Sequence, residues 1–205
     1  GWLGVLIQDV TPDLAQTFGL SKPRGALVAR VIEDSPAESG GVQVGDIILS
    51  FNGLRIPKSS ALPPMVGSLR AGQEVDLGIM REGRNIALNF KIGELPEEVL
   101  TAANVIKPKD LSTHINRMGI KLRELTDEDK EQTGAQFGVL VTEVTGMPAE
   151  EIGLRQDDII QMVDNHKIEH IVDLERLVNG LGAGKSVAIL IYRESGPVFL
   201  AMRVP

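Results

Sequence analysis

Two stretches and one scattered set of residues have types that could do chemistry. Gly180–Ser186, GLGAGKS, has the glycines and lysine of a phosphate-cradling loop. His166–His170, HKIEH, sets two imidazoles and a carboxylate in the H-x-x-E-H order of inverted zinc peptidases. The serines, the acids and three histidines are the raw material of a Ser-His-Asp triad.

Each candidate is decided by the element that must position it. A phosphate loop of the Walker type needs glycine at position 179, where Asn179 stands, and it needs a strand before and a helix after. Here a helical pattern precedes and the strand SVAILIYR follows, so GLGAGKS reads as a helix-to-strand turn. The zinc pattern works only when one helix holds both imidazoles on one face. HKIEH follows a hairpin turn, where residues are extended or looped, and its histidines read as exposed loop residues. No histidine stands in a nucleophile elbow or comparable setting. The absence of cysteine excludes disulfides, thiolate catalysis and Cys-ligated zinc. No catalytic residue, metal or cofactor is expected in this chain.

The elements themselves occur twice. GVQVGDIILSFNG (Gly41–Gly53) aligns with GLRQDDIIQMVDN (Gly153–Asn165), and LRAGQEVDLGIMRE (Leu69–Glu82) with LGAGKSVAILIYRE (Leu181–Glu194), both at a shift of 112. Upstream, GALVARVIEDSPA (from Gly25) matches GVLVTEVTGMPA (from Gly138), and LGVLI (from Leu3) matches MGIKL (from Met118). A repeat of this length is a duplicated module, large enough to bury its own core. The expected division is a first domain over residues 1–93, a linker over 94–113, ELPEEVLTAANVIKPKDLST, and a second domain over 114–205.

With 42% hydrophobic but only 3% aromatic residues, the cores must be built from Val, Ile and Leu. No apolar run approaches the ~20 residues of a membrane-spanning helix. The net charge of −7 argues against nucleic acid. Residues 1–93 hold nine basic and nine acidic side chains, so the excess acid lies beyond them. The abrupt start in GWLGV, inside a strand, suggests a piece of a longer protein.

Within the first module, WLGVLIQDV is a strand and Thr11-Pro12 opens a short helix closed by Gly19. GALVARVIED is a strand, Ser35-Pro36 opens a helical turn, and GDIILSFNG is a strand ending in an Asn-Gly turn. Leu62, Met65, Val66 and Leu69 recur at helical spacing, with prolines in the first turn where they are tolerated. A hairpin around Glu82-Gly83 closes the module. The second module follows the same order, with Leu174, Leu177 and Val178 in the places of Leu62, Met65 and Val66. The acidic run Thr126–Glu131 reads as a solvated first turn of a helix. The fold class is α+β, mainly β.

This combination of an apolar-Gly-apolar strand opening, G-x-L-V…S-P-A…G-x-x-x-G-D-I-I and a late amphipathic helix resembles a PDZ domain of the circularly permuted bacterial kind. The tandem resembles the C-terminal part of the HtrA family of Do-like periplasmic serine proteases, over essentially the whole chain. The resemblance implies two small, partly open β-barrels or sandwiches, each capped by two helices. It implies a periplasmic serine endoprotease and chaperone as the parent, its protease domain absent here, with a role in envelope protein quality control. Expected partners are misfolded proteins, C-terminal peptides and the parent's protease domain within an oligomer, with neither nucleic acid nor membrane insertion.

Recognition of this kind is strand addition at an open sheet edge, with the peptide carboxylate in a nest of backbone N–H groups. The motif maps onto Leu3, Gly4 and Val5, followed by Leu6 and Ile7, and onto Met118, Gly119 and Ile120, followed by Leu122. Leu62, Met65, Val66 and Leu69, and Leu174, Leu177 and Val178, are the helix residues to be divided between groove and core. Arg117 precedes the second loop, where a guanidinium could assist a carboxylate. GWLGV keeps the loop better than RMGIK, so the first module is expected to capture peptide and the second to serve contacts. The alternatives are an assembly module holding protease subunits together and the PDZ pair of an intramembrane metalloprotease.

Overall fold

The computed structural model describes residues 1–94 and 117–205, together with the backbone of Thr113–Ile115. The chain divides into two compact units, Gly1–Leu100 and Thr101–Pro205. Most of the expected linker lies outside the described residues.

The first unit runs β1 (Val5–Asp9), α1 (Pro12–Thr17), β2 (Ala26–Val31), α2 (Pro36–Ser39), β3 (Ile47–Phe51), β4 (Leu54–Arg55), a 3-10 turn (Ser59–Ala61), α3 (Leu62–Gly67), β5 (Glu74–Arg81) and β6 (Arg84–Lys91). Its local chemistry explains these boundaries. Thr11 and Ser35 cap the N-termini of α1 and α2 by accepting the N–H of Leu14 and Glu38, each with proline at the first helical position. Asn52-Gly53 and Glu82-Gly83 take positive φ at the tips of the two hairpins, as tight antiparallel turns require. The sheet order is β1-β2-β3-β5-β6, with β4 on β3, all antiparallel. Its ends approach at one bridge, where Trp2 and Gly93 exchange backbone hydrogen bonds of 2.9 and 3.0 Å. The sheet curls without closing into a barrel.

The second unit runs β7 (Thr113–Ile115), β8 (Ile120–Glu124), α4 (Asp127–Thr133), β9 (Val139–Val144), β10 (Ile159–Val163), β11 (His166–Lys167), α5 (Ile171–Gly180), β12 (Ser186–Arg193) and β13 (Gly196–Arg203), in sheet order β13-β12-β10-β9-β8-β7 with β11 on β10. Turns occupy the place of α2. GLGAGKS is the connection from α5 to β12, as its flanks require. His166 lies in β11 and His170 at the N-cap of α5, so no single helix holds both imidazoles.

The aliphatic residues that alternate along these strands form a core in each unit. Val28, Ile48, Leu77 and Ile79 are buried in the first, and Val141, Ile160, Ile189 and Ile191 in the second. Each such side chain stabilises by about 1.5–3 kcal/mol relative to exposure. Both units also share one polar staple. Asp46 accepts two hydrogen bonds of 2.7 Å from Arg81 and one of 2.8 Å from the Gln43 N–H. Asp158 does the same with Arg193 at 2.8 and 2.6 Å and with the Arg155 N–H at 2.8 Å. The repeated D-I-I and R-E of the sequence are therefore one bidentate ion pair, built twice. No described helix is long and apolar enough to cross a membrane.

The acidic start of α4 departs from expectation. Thr126 forms a capping box with Asp129, and Asp129 is buried, held bidentately by Arg123. That guanidinium pulls its carboxyl down to about 2, with the Thr126 N–H and hydroxyl adding to the effect. One of the four acids of this run is thus a buried staple; burial requires a partner for a charge, and Arg123 supplies it.

Candidate functional site

In the first unit, β1 pairs with β2 alone, leaving its other edge free of backbone partners among the described residues. The chain enters β1 through Leu3 and Gly4. Their carbonyls accept from the N–H groups of Ala37 and Ile32 at 2.9 and 2.8 Å, while their own N–H groups donate to no acceptor among the described residues. Gly4 is buried, with φ +80, and a Cβ there would lie 2.2 Å from the Ser35 Cβ. Only glycine fits. These two amides stand at the head of the β1 edge that has no backbone partner among the described residues.

The second unit repeats the loop. The Met118 and Gly119 carbonyls accept from Ala149 and Thr145 at 3.2 and 2.7 Å, and their N–H groups have no acceptor among the described residues. Gly119 has φ +68, and a Cβ would lie 2.5 Å from the Gly146 carbonyl oxygen. The following strand differs, because β8 is paired on both sides, with β9 and with β7.

The helix residues divide cleanly. Leu62 and Val66, and likewise Leu174 and Val178, are buried in their cores. Met65 and Leu69 are half-buried against the first core. Leu177 lines a cleft of ≈ 490 Å³ with His166, Arg176 and Lys185, to which neither β8 nor its loop contributes a lining residue. On the strands, Leu3 is buried, Val5 and Ile7 are half-buried and Leu6 is exposed. Met118, Ile120 and Leu122 are fully buried.

Arg117 is committed elsewhere than expected. It donates to the carbonyls of Val178 and Leu181 at 2.7 and 3.0 Å and to that of Pro205 at 3.4 Å, so its charge serves the C-terminus of α5, where the helix dipole favours a cation.

Sequence reasoning missed a tie between the strand after each glycine loop and the late helix. Asp9, at the far end of β1, accepts the N–H and hydroxyl of Ser59; Glu124, at the same place in β8, accepts the N–H of Ile171. An acid at equivalent ends of the two aligned strands was the available signal.

The model of the PDZ domain family matches residues 1–92 and 116–202. The chain belongs to the PDZ family. It is a tandem of two such domains, and its curated relatives are DegP-like. It is 39% identical over 204 residues to a probable periplasmic serine endoprotease DegP-like of Hahella chejuensis, and 42% identical over 206 residues to one of Ectopseudomonas mendocina. In both cases all of this chain is covered, and it spans 43% of the relative's length. Among solved structures, the HtrA-type protease AlgW with decapeptide is 34% identical at TM-score 0.44, covering 47% of this chain and 30% of that one. The HtrA3 PDZ domain bound to a phage-derived ligand (FGRWV) is 28% identical at TM-score 0.38, covering 44% and 82%.

Proposed function

We propose that this PDZ tandem is the peptide-receiving region of a periplasmic serine endoprotease, and that its first domain takes the extended carboxyl-terminal end of a misfolded envelope protein. One observation carries this reading: among the described residues the edge of β1 is open and begins at two backbone N–H groups without an acceptor, at a glycine that admits no side chain. The incoming strand pairs with β1, its carboxylate receives the N–H groups of Leu3 and Gly4, and its last side chain packs on half-buried Val5, Ile7 and Met65.

Affinity comes from main-chain bonds that every peptide can make, which suits capture of varied clients. Selectivity rests on the terminal carboxylate and an apolar last residue. Trp2 stands beside the loop and is the chain's sole tryptophan, so its fluorescence reports binding. Free-acid peptides with apolar ends are expected to bind at least about tenfold more tightly than their amidated forms, the scale of a charge-assisted hydrogen bond. Equal affinity for the two forms overturns carboxylate capture.

A further inference from the structure

The two groove strands are built alike on their inner side. In β1, Val5, Ile7 and Asp9 face Val31, Val28 and Ala26 of β2, with a bulge between Leu6 and Ile7. In β8, Ile120, Leu122 and Glu124 face Val144, Val141 and Val139 of β9, with a bulge between Lys121 and Leu122. The outer sides differ. Strand β7 lies antiparallel on β8, with Ile115 opposite Ile120, His114 opposite Lys121 and Thr113 opposite Leu122.

That polarity matters. The carboxyl end of β7 lies at the start of β8, beside the Gly119 loop, which is where the last residue of an incoming peptide would stand. Burial follows the same pattern: Ile120 and Leu122 are inaccessible, while their counterparts Val5 and Ile7 are only half-buried.

We propose that Thr113–Ile115 is a built-in pseudo-ligand of the second PDZ domain, so that this domain receives a peptide only when its own β7 is displaced. The inference rests on the strand-addition reading above. A short tether gives β7 an effective concentration of the order of mM, which a weak peptide does not match. A three-residue strand is also short enough to be released. The apparent affinity of the second domain is then its intrinsic affinity reduced by the fraction of time that β7 is away. The first domain is the open receiver, and the second is latent.

The test uses the full chain, labelled with nitrogen-15 and titrated with a free-acid heptapeptide ending in valine. Amide resonances of Val5 and Leu6 report the first domain and those of Ile120 and Lys121 the second, while hydrogen exchange at Ile120–Leu122 reports the β7 ladder. In the unaltered chain, the first domain is expected to bind at least about tenfold more tightly than the second. In the double variant His114→Pro, Ile115→Pro, consecutive prolines remove two N–H groups that point in opposite directions, one of them toward β8. Exchange across Ile120–Leu122 then accelerates and the second domain's affinity rises about tenfold, with the first unchanged. Glycine at all three β7 positions is a milder variant with the same expected direction, should the prolines disturb the core. Faster exchange with unchanged affinity in the second domain, or equal affinities of both domains in the unaltered chain, overturns the pseudo-ligand. Loss of binding at the first domain in the unaltered chain overturns the strand-addition reading itself.

Discussion

Asp9 Oδ1 accepts two hydrogen bonds from Ser59, 2.9 Å from its backbone N–H and 2.7 Å from its hydroxyl, tying the end of β1 to the start of the groove helix. The Ser59 hydroxyl, then its N–H, hold the Asp9 carboxyl below its ordinary range. In the second domain Glu124 accepts the Ile171 N–H at 2.9 Å, tying the end of β8 to the start of α5. In each domain this acid ties strand to helix at the end of the strand away from the glycine loop.

Replacing it should therefore loosen the groove with little effect on the fold, since the pair lies at the surface. Asp9→Ala is expected to weaken peptide binding by roughly three- to tenfold, the scale of one charge-assisted hydrogen bond. Trp2 fluorescence titration measures it; unchanged affinity would remove Asp9 from the site.

Gly4 and Gly119 should part company in function. Gly4→Val meets Ser35 and carries a β-branched residue at positive φ, which costs of order 1–3 kcal/mol before the clash is counted. It is expected to abolish peptide binding. Gly119→Val strains the second domain comparably but leaves the first domain's affinity intact. Thermal melting and titration of both variants test this, and a larger loss of binding from Gly119→Val reverses the assignment.

The duplicated staple predicts duplicated losses. Asp46→Ala and Asp158→Ala each leave a partly exposed arginine and a backbone N–H without their buried carboxylate. Losing these charge-assisted hydrogen bonds costs about 1–3 kcal/mol. Urea unfolding of each variant should show one destabilised domain and one unaltered domain, and losses below about 1 kcal/mol would show that the ion pair is not structural.

Asp129 makes the second domain acid-sensitive. Its carboxyl lies at about 2 in the fold and near 3.8 in the unfolded chain, because Arg123 binds its charged form. A depressed carboxylate stabilises above its unfolded value and loses that contribution as pH falls through the folded one. The difference is worth roughly 2 kcal/mol at neutral pH and disappears between about pH 4 and pH 2. Asp129→Asn should lower stability at pH 7 and flatten this part of the pH dependence; parallel profiles for variant and parent would exclude the mechanism.

The duplication, the order of elements, both glycine loops and the helix-to-strand turn at GLGAGKS were legible in the residues. These rest on local chemistry: caps at Thr11, Ser35 and Thr126, positive φ at Asn52-Gly53 and Glu82-Gly83, and the period of the apolar residues. A stripe such as Leu62, Met65, Val66 and Leu69 identifies a helix face but does not say how much of it the core consumes. That division was made by packing, which buried Leu62 and Val66 and left Met65 and Leu69 half-covered.

What only the tertiary structure decided was partnership across long separations. Asp9 finds Ser59, Arg117 finds the end of α5, and Asp129, one acid among several, is the one that Arg123 holds. The pairing of β7 on β8, with the matching edge of β1 open among the described residues, belongs to the same class. Periodicity along a chain is set by each residue's own backbone and side chain, so sequence carries it; which edge or charge meets which depends on how the sheet curls, and that is a property of the folded whole.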